Sequence, residues 1–461
     1  MTANSEALEV DLVVLGAGMA GMSAAGYAAS RGASVCVIEK GAEIGGSAVL
    51  SGGWLWTAPT YEILRERAPK GDLELQKVFI ERFPRAVEWV RSTGVEMGEE
   101  RVAPPGFGKG YLIDILAYVR RCEAMVESAN GWVLRSTATD QLIVENGRVA
   151  GVIARDAHGI ATVRAPAVIL ATGGFQGNPS LLYEQLGENA RQLLLRSNPH
   201  STGDGLRLGR QEGADVAGDF SAFYGHLIAW PLTEFGPKDF QRFSFGGFSL
   251  VGLLVNLGGE RFTDESFGHQ ANAIETAKQP HARAALLVDD AGRRRVFGLT
   301  PTGAPDNDKI EVARQAGARV ASSDTLKGLA GSLAAWGFDV SRLPATVEAY
   351  NAMIHSGASG ATPPRRWNRH PFGPGPYHAI EVRPGITSTQ GGLRVDAWSR
   401  VLDRQGRTIP GLFAAGADAG GFYNGGYAGG LSVACVFGIT AVETVLGAKL
   451  FGESAGAPRS S

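Results

Sequence analysis

The 461-residue sequence has few cysteines and no histidine in its first 157 positions. Its three cysteines, Cys36, Cys122 and Cys435, are too few for a disulfide framework, and none belongs to a CxxC pair. No metal site is predicted. The simplest interpretation is a reduced, intracellular setting, so a cytoplasmic protein is expected.

Charge and hydropathy argue against further classes of protein, namely nucleic-acid-binding, membrane and disordered proteins. The 44 basic and 46 acidic residues give a net charge of −2, which provides no attraction to nucleic acid or to an anionic membrane surface. The N-terminus lacks the basic region of a secretory signal, and no apolar run approaches the roughly 20 residues of a membrane span. A hydrophobic fraction of 44% excludes a disordered chain.

Glycine, by contrast, is abundant. The chain contains 64 glycines, about twice the usual share of about 7%. Much of the excess lies in four clusters, at 16–21, 41–53, 173–177 and 411–430. Such clusters are typical of places where the backbone turns sharply or approaches a ligand.

The first cluster lies between a predicted strand and a predicted helix. The apolar run Val10–Leu15 predicts a buried strand, the Ala-rich segment that ends at Gly32 predicts a helix, and Ala33–Ile38 predicts a second buried strand. This order is that of a dinucleotide-binding βαβ unit.

The glycines of that turn support the same interpretation. Gly16, Gly18 and Gly21 have the GxGxxG spacing, and Glu39 follows 18 positions after Gly21. The glycines permit a tight turn, close approach of a pyrophosphate and helix–strand contact, while Glu39 accepts hydrogen bonds from a ribose. The helix N-terminus favours the phosphate charge.

The remaining clusters place nucleotide-binding signatures at both ends of the chain. A strand at Ala167–Ala171 leads into Thr172-Gly173-Gly174, and the last cluster precedes an Ala-rich helix. The binding domain is therefore expected to be discontinuous, formed by 1–220 and 383–461, with 221–382 inserted as a second domain. Asn146-Gly147 predicts a β-hairpin within the first part.

These motifs together resemble one family. GAGMAGMSAA…VIEK, GGSAVLSGG, ATGGF, GERFTDE, TQGGLRVD and IPGLFAAGADAGG occur in that order and are similar to the flavoprotein superfamily of fumarate reductases, succinate dehydrogenases and 3-ketosteroid dehydrogenases. The resemblance implies an α/β fold, with a discontinuous Rossmann-type FAD-binding domain and an inserted α+β capping domain that takes the substrate.

The resemblance also implies the FAD-binding residues. Glu39 would hold the adenosine ribose, Asp418 the ribitol side, and backbone groups around Ser432 the pyrimidine edge of the flavin at a helix N-terminus. The full predicted set is Gly16, Gly18, Ala20, Gly21, Glu39, Lys40, Gly45, Gly46, Ser47, Ser51, Gly52, Gly53, Ala171, Thr172, Gly173, Asp204, Gly416, Asp418, Gly430, Leu431 and Ser432. Covalent members attach FAD through a histidine near the position of Gly46. Since no histidine precedes residue 158, non-covalent FAD is expected.

The substrate residues of fumarate reductases are largely absent. Four positions carry them in that group, and only the first, His226, keeps its residue. His269 stands where the proton-donating Arg is expected, Ser388 stands near the position of a second His, and Tyr427 replaces another Arg. The missing guanidinium groups argue against a dicarboxylate substrate.

Tyr427 favours a ketone substrate instead. In 3-ketosteroid dehydrogenases, a Tyr at this turn and a backbone N–H four residues later bind the ketone oxygen. The matching groups here are Tyr427 and the Leu431 N–H, which would form an oxyanion hole during loss of a proton from Cα. Candidate bases are Tyr224 and His226. His269, Ser388 and Trp54 are candidate substrate contacts.

The expected activity is therefore FAD-dependent desaturation of a ketone at its α,β bond. The site pattern is closest to ketone desaturases of the 3-ketosteroid Δ1-dehydrogenase type, and the expected substrate is cyclic, such as 4-oxocyclohexanecarboxylate or a 3-ketosteroid. An external electron acceptor is needed because the chain has no haem motif and no Fe–S cysteine set. Three alternatives stay open: a dicarboxylate or tricarballylate oxidoreductase, the flavoprotein subunit of an electron-transfer complex, and a nucleotide-binding protein without catalysis.

Overall fold

A computed structural model describes residues 7–103, 108–297, 308–357 and 363–450. The chain forms two compact units. The first contains Met1–Asn178, Asn198–Ala222 and Ser388–Ser461, and the second contains Pro179–Ser197 and Phe223–Thr387. The second unit thus resembles the predicted insertion 221–382 but also takes in a segment of the chain before it.

The first unit contains a six-stranded sheet in which five neighbouring strands run parallel. The sixth strand pairs antiparallel at one edge. The central strands are short and fully buried, as expected for a parallel sheet covered on both faces. The strand order is Arg400–Leu402, Thr408–Ala414, Val168–Leu170, Leu12–Leu15, Val35–Ile38 and Trp132–Leu134. The predicted α/β class with a Rossmann-type sheet is confirmed.

Two helices rich in small residues pack closely in this unit. All residues of the helix Met19–Ala29 are buried, and it lies against the helix Gly430–Leu450. A Cβ atom at Gly438 would lie 2.5 Å from the Ala20 carbonyl oxygen, so only glycine permits this approach. Among the described residues, the window Gly430–Gly447 is apolar and long enough to cross a membrane, but 61% of it is buried inside the protein.

Two further sheets of the first unit have four and three strands. A four-stranded sheet has the order Leu8–Glu9, Ile160–Arg164, Arg148–Arg155 and Ala138–Glu145. Its hairpin turns at Asn146 and Gly147, with φ of 50° and 72°, as the sequence predicts. A three-stranded sheet has the order Trp54–Thr57, Gly108–Leu112 and Arg101–Ala103.

The other elements of the first unit connect these sheets. Two short strands pair with each other, Val216–Ala217 and Gly392–Leu393. The remaining helices are Tyr61–Arg67, Leu73–Ser92, Ile115–Ser128 and Asp204–Gln211.

The second unit is built on a mixed sheet around one long strand, Tyr377–Thr389, whose last two residues belong to the first unit. Apolar side chains of this sheet form the core with the surrounding helices. The other strands are Leu194–Leu195, Phe223–Ala229, Leu253–Val255, Ala284–Asp289 and Val320–Ser323. The helices are Pro179–Leu186, Gly246–Ser249, His269–Ala277, Asp290–Phe297, Lys309–Gln315, Leu326–Ala335 and Leu343–Ser356.

A buried ion-pair group stabilises the second unit. Glu265 is 0% exposed and pairs with Arg261 at 2.7 Å and with Arg365 at 2.9 Å. Arg365 also donates to the carbonyl oxygen of Gly252. Arg261 and Glu265 belong to the GERFTDE motif, which therefore has a structural role in this chain.

We expect Glu265→Gln to lower the free energy of unfolding by about 3–5 kcal/mol, because it leaves two buried guanidinium groups without their carboxylate. Denaturant unfolding measures this loss. Glu260→Gln is the matched control, since Glu260 pairs with Arg342 at the exposed surface and its loss should cost under about 1 kcal/mol. Equal effects of the two variants would contradict this assignment.

Candidate active site

The three glycines of the first turn have different surroundings. A Cβ atom at Gly16, whose φ is +98°, would lie 2.3 Å from the Ala171 carbonyl oxygen, and one at Gly21 would lie 1.8 Å from the Gly16 carbonyl oxygen. A Cβ atom at Gly18 would meet no atom within 4 Å. Gly16 and Gly21 therefore hold the backbone together, while Gly18 borders open space at the helix N-terminus, as a phosphate site requires.

Glu39 is fixed beside this turn. It is 6% exposed, and its two carboxylate oxygens accept the N–H groups of Ala17 and Gly41, each at 2.7 Å. Each oxygen retains a lone pair for a further donor, so the carboxylate is suited to bind the hydroxyls of a ribose.

The second glycine cluster folds back onto the first turn. The Gly45 N–H donates to the Ala17 carbonyl oxygen at 2.7 Å. A Cβ atom at Gly46 would lie 3.4 Å from the Gly18 Cα, so the two loops are close at the predicted phosphate site. The Ser51 hydroxyl oxygen accepts the Gly53 N–H within this loop, while the Ser47 hydroxyl oxygen accepts the N–H of the distant Asn198.

The predicted ribitol residue, Asp418, is deeply buried. It is 1% exposed, and its carboxylate accepts hydrogen bonds from the Thr172 N–H and hydroxyl. Burial raises the pKa of Asp418 to about 7. Lys40 and Asp204, also predicted at the cofactor, form an ion pair at 2.5 Å.

The N-terminus of the last helix presents several polar groups. The Gly430 N–H donates to the Tyr427 hydroxyl oxygen at 2.8 Å. The N–H groups of Leu431 and Ser432 lie in the first turn, where a helix offers no internal acceptor. The Ser432 hydroxyl is 0% exposed and has no hydrogen-bond partner among the residues that the structure describes.

These groups fit the predicted FAD. Gly18 leaves space for a pyrophosphate, and the Glu39 carboxylate provides buried acceptors for the hydroxyls of a ribose. The Ser432 hydroxyl, which has no partner among the described residues, and the adjacent N–H groups can donate to an acceptor such as a flavin carbonyl.

A separate polar cluster lies in the second unit. Tyr224 and His226 point to the same side of the strand Phe223–Ala229 because they are two residues apart. The Tyr224 hydroxyl is 2.9 Å from His226 Nε2, and the Ser244 hydroxyl is 2.8 Å from His226 Nδ1. The ring of His269 stacks on that of His226, with centroids 4.8 Å apart.

Two cations that sequence reasoning missed lie beside this cluster. Arg196 is 4% exposed and donates to the Phe240 carbonyl oxygen and to the Thr387 hydroxyl. Lys309 donates to the carbonyl oxygens of Gln241 and Ser244. Neither residue belongs to a recognisable motif, so no sequence signal indicated them.

Burial and these cations control the charge of the cluster. Burial lowers the pKa of His226 well below its usual value, and Arg196, His269 and Lys309 lower it further. Burial, with Arg196 and Lys309, lowers the pKa of His269 to about 4. Burial raises the pKa of Tyr224, although Arg196 acts in the opposite direction. Both histidines are therefore neutral at neutral pH.

The predicted substrate residues fall in both units. Tyr224, His226 and His269 form the cluster of the second unit. Tyr427 and Leu431 lie together in the first unit, which also contains Trp54 and Ser388. Their roles at a substrate stay predictions.

The chain is similar to known FAD-binding proteins. The family model described as FAD binding domain matches residues 11–432. The chain is 28% identical to a vinyl phenol reductase of Lactiplantibacillus plantarum, over 92% of this chain and 93% of that protein. It is 26% identical to a 4-oxocyclohexanecarboxylate 2-dehydrogenase of Sinomonas cyclohexanicum, over 91% of this chain and 89% of that protein.

A solved structure has a similar fold. It is the 3-ketosteroid-Δ4-(5α)-dehydrogenase of Rhodococcus jostii, with a TM-score of 0.74 and 22% identity. The match covers 96% of this chain and 98% of that one.

We expect Gly18→Ala to weaken FAD binding at least about tenfold without destabilising the protein free of FAD, because the added methyl group would enter the space of the pyrophosphate. The backbone of Gly18, at φ −80° and ψ −167°, is one that alanine adopts readily. Flavin fluorescence titration and thermal unfolding measure the two quantities.

Gly21→Ala is the contrasting variant. Its methyl group would collide with the Gly16 carbonyl oxygen, so it should lower the thermal stability itself. Unchanged FAD affinity in Gly18→Ala would place the pyrophosphate elsewhere.

Proposed function

The chain belongs to the FAD binding domain family, and from this premise we propose that it desaturates a ketone at the α,β bond. The predicted flavoprotein superfamily, the cofactor FAD and the enzyme class are confirmed: the chain is an FAD-dependent oxidoreductase acting on CH–CH groups. The ketone and the roles of individual residues belong to the proposal.

The hydrogen bond between Gly430 and Tyr427 carries this proposal. Because the Tyr427 oxygen accepts the Gly430 N–H at 2.8 Å, the hydroxyl is polarised at a helix N-terminus and its proton is directed to another acceptor. Together with the Leu431 N–H, it supplies two donors for an oxygen on which negative charge develops. A ketone that loses its Cα proton develops that charge.

The proton acceptor is proposed to come from the cluster of Tyr224 and His226. Bound FAD would supply the hydride acceptor for the hydrogen on Cβ. The protein supplies the base, the oxyanion donors and the FAD-binding residues proposed from the sequence, with Glu39 at the ribose and non-covalent attachment. The reduced cofactor then needs an external electron acceptor.

A cyclic ketone is the proposed substrate. The relative from Sinomonas cyclohexanicum, by its name, dehydrogenates 4-oxocyclohexanecarboxylate, which is such a ketone. The R. jostii structure supports the fold alone.

Reduction of an unsaturated carboxylate is the second candidate. Arg196 favours it, since it provides a buried guanidinium beside the histidine cluster, and guanidinium groups bind carboxylates well. His269 and Tyr427 argue against a carboxylate substrate, because they stand where the resemblance to fumarate reductases leads us to expect arginines.

We expect Tyr427→Phe to slow reduction of the bound flavin by a cyclic ketone about 10²–10³-fold, because it removes one oxyanion donor. Anaerobic titration with 4-oxocyclohexanecarboxylate, followed by flavin absorbance, measures this rate, while FAD content should stay unchanged.

This experiment has one control variant and one outcome that would contradict it. Tyr61→Phe removes a hydroxyl that binds the Leu73 carbonyl oxygen and should leave the rate unchanged. Reoxidation of pre-reduced flavin by fumarate but not by an unsaturated ketone, with no flavin reduction by ketones, would reject desaturation in favour of the second candidate.

A further inference from the structure

In the polar cluster of the second unit, hydrogen bonds join the two candidate bases, Tyr224 and His226, to Ser244. The two side chains share a hydrogen bond of 2.9 Å, and His226 is also bound by Ser244 at 2.8 Å. In a neutral imidazole one nitrogen donates and the other accepts. The direction of the Ser244 hydrogen bond therefore decides the direction of the Tyr224 hydrogen bond.

The surroundings of Ser244 decide that direction. Ser244 is 7% exposed, and among the residues that the structure describes its hydroxyl has one hydrogen-bond partner, His226 Nδ1. If the hydroxyl donates to Nδ1, its proton is satisfied. If it accepts from Nδ1, a buried O–H is left without an acceptor, which costs more than an unused lone pair.

The charges around His226 keep its ring neutral. Arg196, His269 and Lys309 face it, and the two cations disfavour a second proton on its ring. The ring is held neutral, with a single N–H. If that N–H is on Nε2, it donates to the Tyr224 oxygen.

We propose that Ser244 is a positioning residue, whose hydroxyl donates to His226 Nδ1, so that the His226 Nε2–H donates to the Tyr224 oxygen and Tyr224 exchanges the proton with the substrate. His226 then has no free lone pair for a substrate proton and acts through Tyr224. This assignment rests on the proposed function for the identity of the substrate.

In the proposed desaturation, the substrate loses a proton from Cα and a hydride from Cβ. The Tyr224 phenolate takes a proton from Cα and becomes a phenol. The electron pair of the broken Cα–H bond, held in part on the ketone oxygen as an enolate, forms the Cα=Cβ double bond as a hydride leaves Cβ. FAD, when bound, would be the two-electron oxidant that takes this hydride. The hydrogen bond from His226 stabilises the phenolate before the step, as a donor to a charged acceptor does.

The first test reads the tautomer directly and needs no substrate. Nitrogen-15 labelling of the eight histidines, with His226 assigned by its loss in His226→Gln, distinguishes Nε2–H from Nδ1–H through long-range nitrogen–proton correlations. We expect Nε2–H in the native protein and a mixture of tautomers in Ser244→Ala. A native Nδ1–H or a doubly protonated ring would overturn the proposal.

The second test is the pH dependence of flavin reduction by a cyclic ketone. Burial raises the pKa of Tyr224 above its ordinary value of about 10, so the fraction of phenolate, and with it the rate, should rise about tenfold per pH unit between pH 7 and 9. A His226 base, whose pKa is far below 6.5, would give a rate independent of pH over this range. A flat profile would overturn the proposal.

Variants separate the two residues. Tyr224→Phe should lower the rate about 10²–10⁴-fold and remove the slope. His226→Gln keeps an N–H donor for Tyr224 and should preserve the slope, with a far smaller loss. Equal losses in these two variants would overturn the assignment of Tyr224.

Ser244→Ala should slow the rate about fivefold with the slope retained, as expected for loss of one hydrogen bond. Ser249→Ala is its control, because Ser249 is a buried serine of the same unit whose hydroxyl binds Gly246 and Asn272. Ser249→Ala should change neither the His226 tautomer nor the pH slope; if it shifts the tautomer as Ser244→Ala does, the Ser244 assignment fails.

If no ketone reduces the flavin of the native protein, the proposed function fails, while the tautomer of His226 still decides the role of Ser244.

Discussion

Contact between backbones without intervening side chains is the constraint on which the first unit depends. Gly21 lies so close to the Gly16 carbonyl oxygen that a Cβ atom would come within 1.8 Å of it, and Gly438 brings the last helix onto the first in the same way. A larger side chain at Gly21 would push the first helix away from the turn at Gly16, and one at Gly438 would push the two helices apart. The glycine turn at 16–21 and the polar N-terminus of the last helix are thus positioned by the same close packing.

Burial then determines the chemistry of the groups around these turns. Removing a carboxyl from water raises the pKa of Asp418, and removing an imidazole from water lowers that of His226. Glu265, by contrast, keeps its charge in a fully buried place because two guanidinium groups surround it. Burial with a partner of opposite charge yields a structural ion pair, whereas burial beside cations yields a neutral histidine pair.

Tyr427 and Tyr224 illustrate two different uses of a phenol. The Tyr427 oxygen accepts from a backbone N–H, which directs its proton outward as a donor. In the proposed arrangement, Tyr224 accepts from His226, which favours its loss of a proton. The same functional group would stabilise charge in one place and accept a proton in the other, because the neighbouring donor differs.

The sequence by itself determined the βαβ unit, its glycine turn, the Asn146-Gly147 hairpin and the cofactor, whereas the domain bounds 1–220, 221–382 and 383–461 stay predictions. Each of these depends on local backbone geometry, which short-range spacing specifies, or on a resemblance that spans the chain. Glu39 could be predicted as a ribose ligand for the same reason, since it follows its strand directly, and that role stays a prediction.

Only the tertiary structure decided the surroundings of the histidines. Arg196, Ser244 and Lys309 are distant from His226 along the chain and belong to no motif, so their approach depends on how separate elements of the second unit pack. The same is true of Glu265, whose partner Arg365 lies 100 residues away. Local spacing sets where the backbone turns, but hydrogen-bond direction and pKa depend on neighbours and burial, which exist only once the chain has folded.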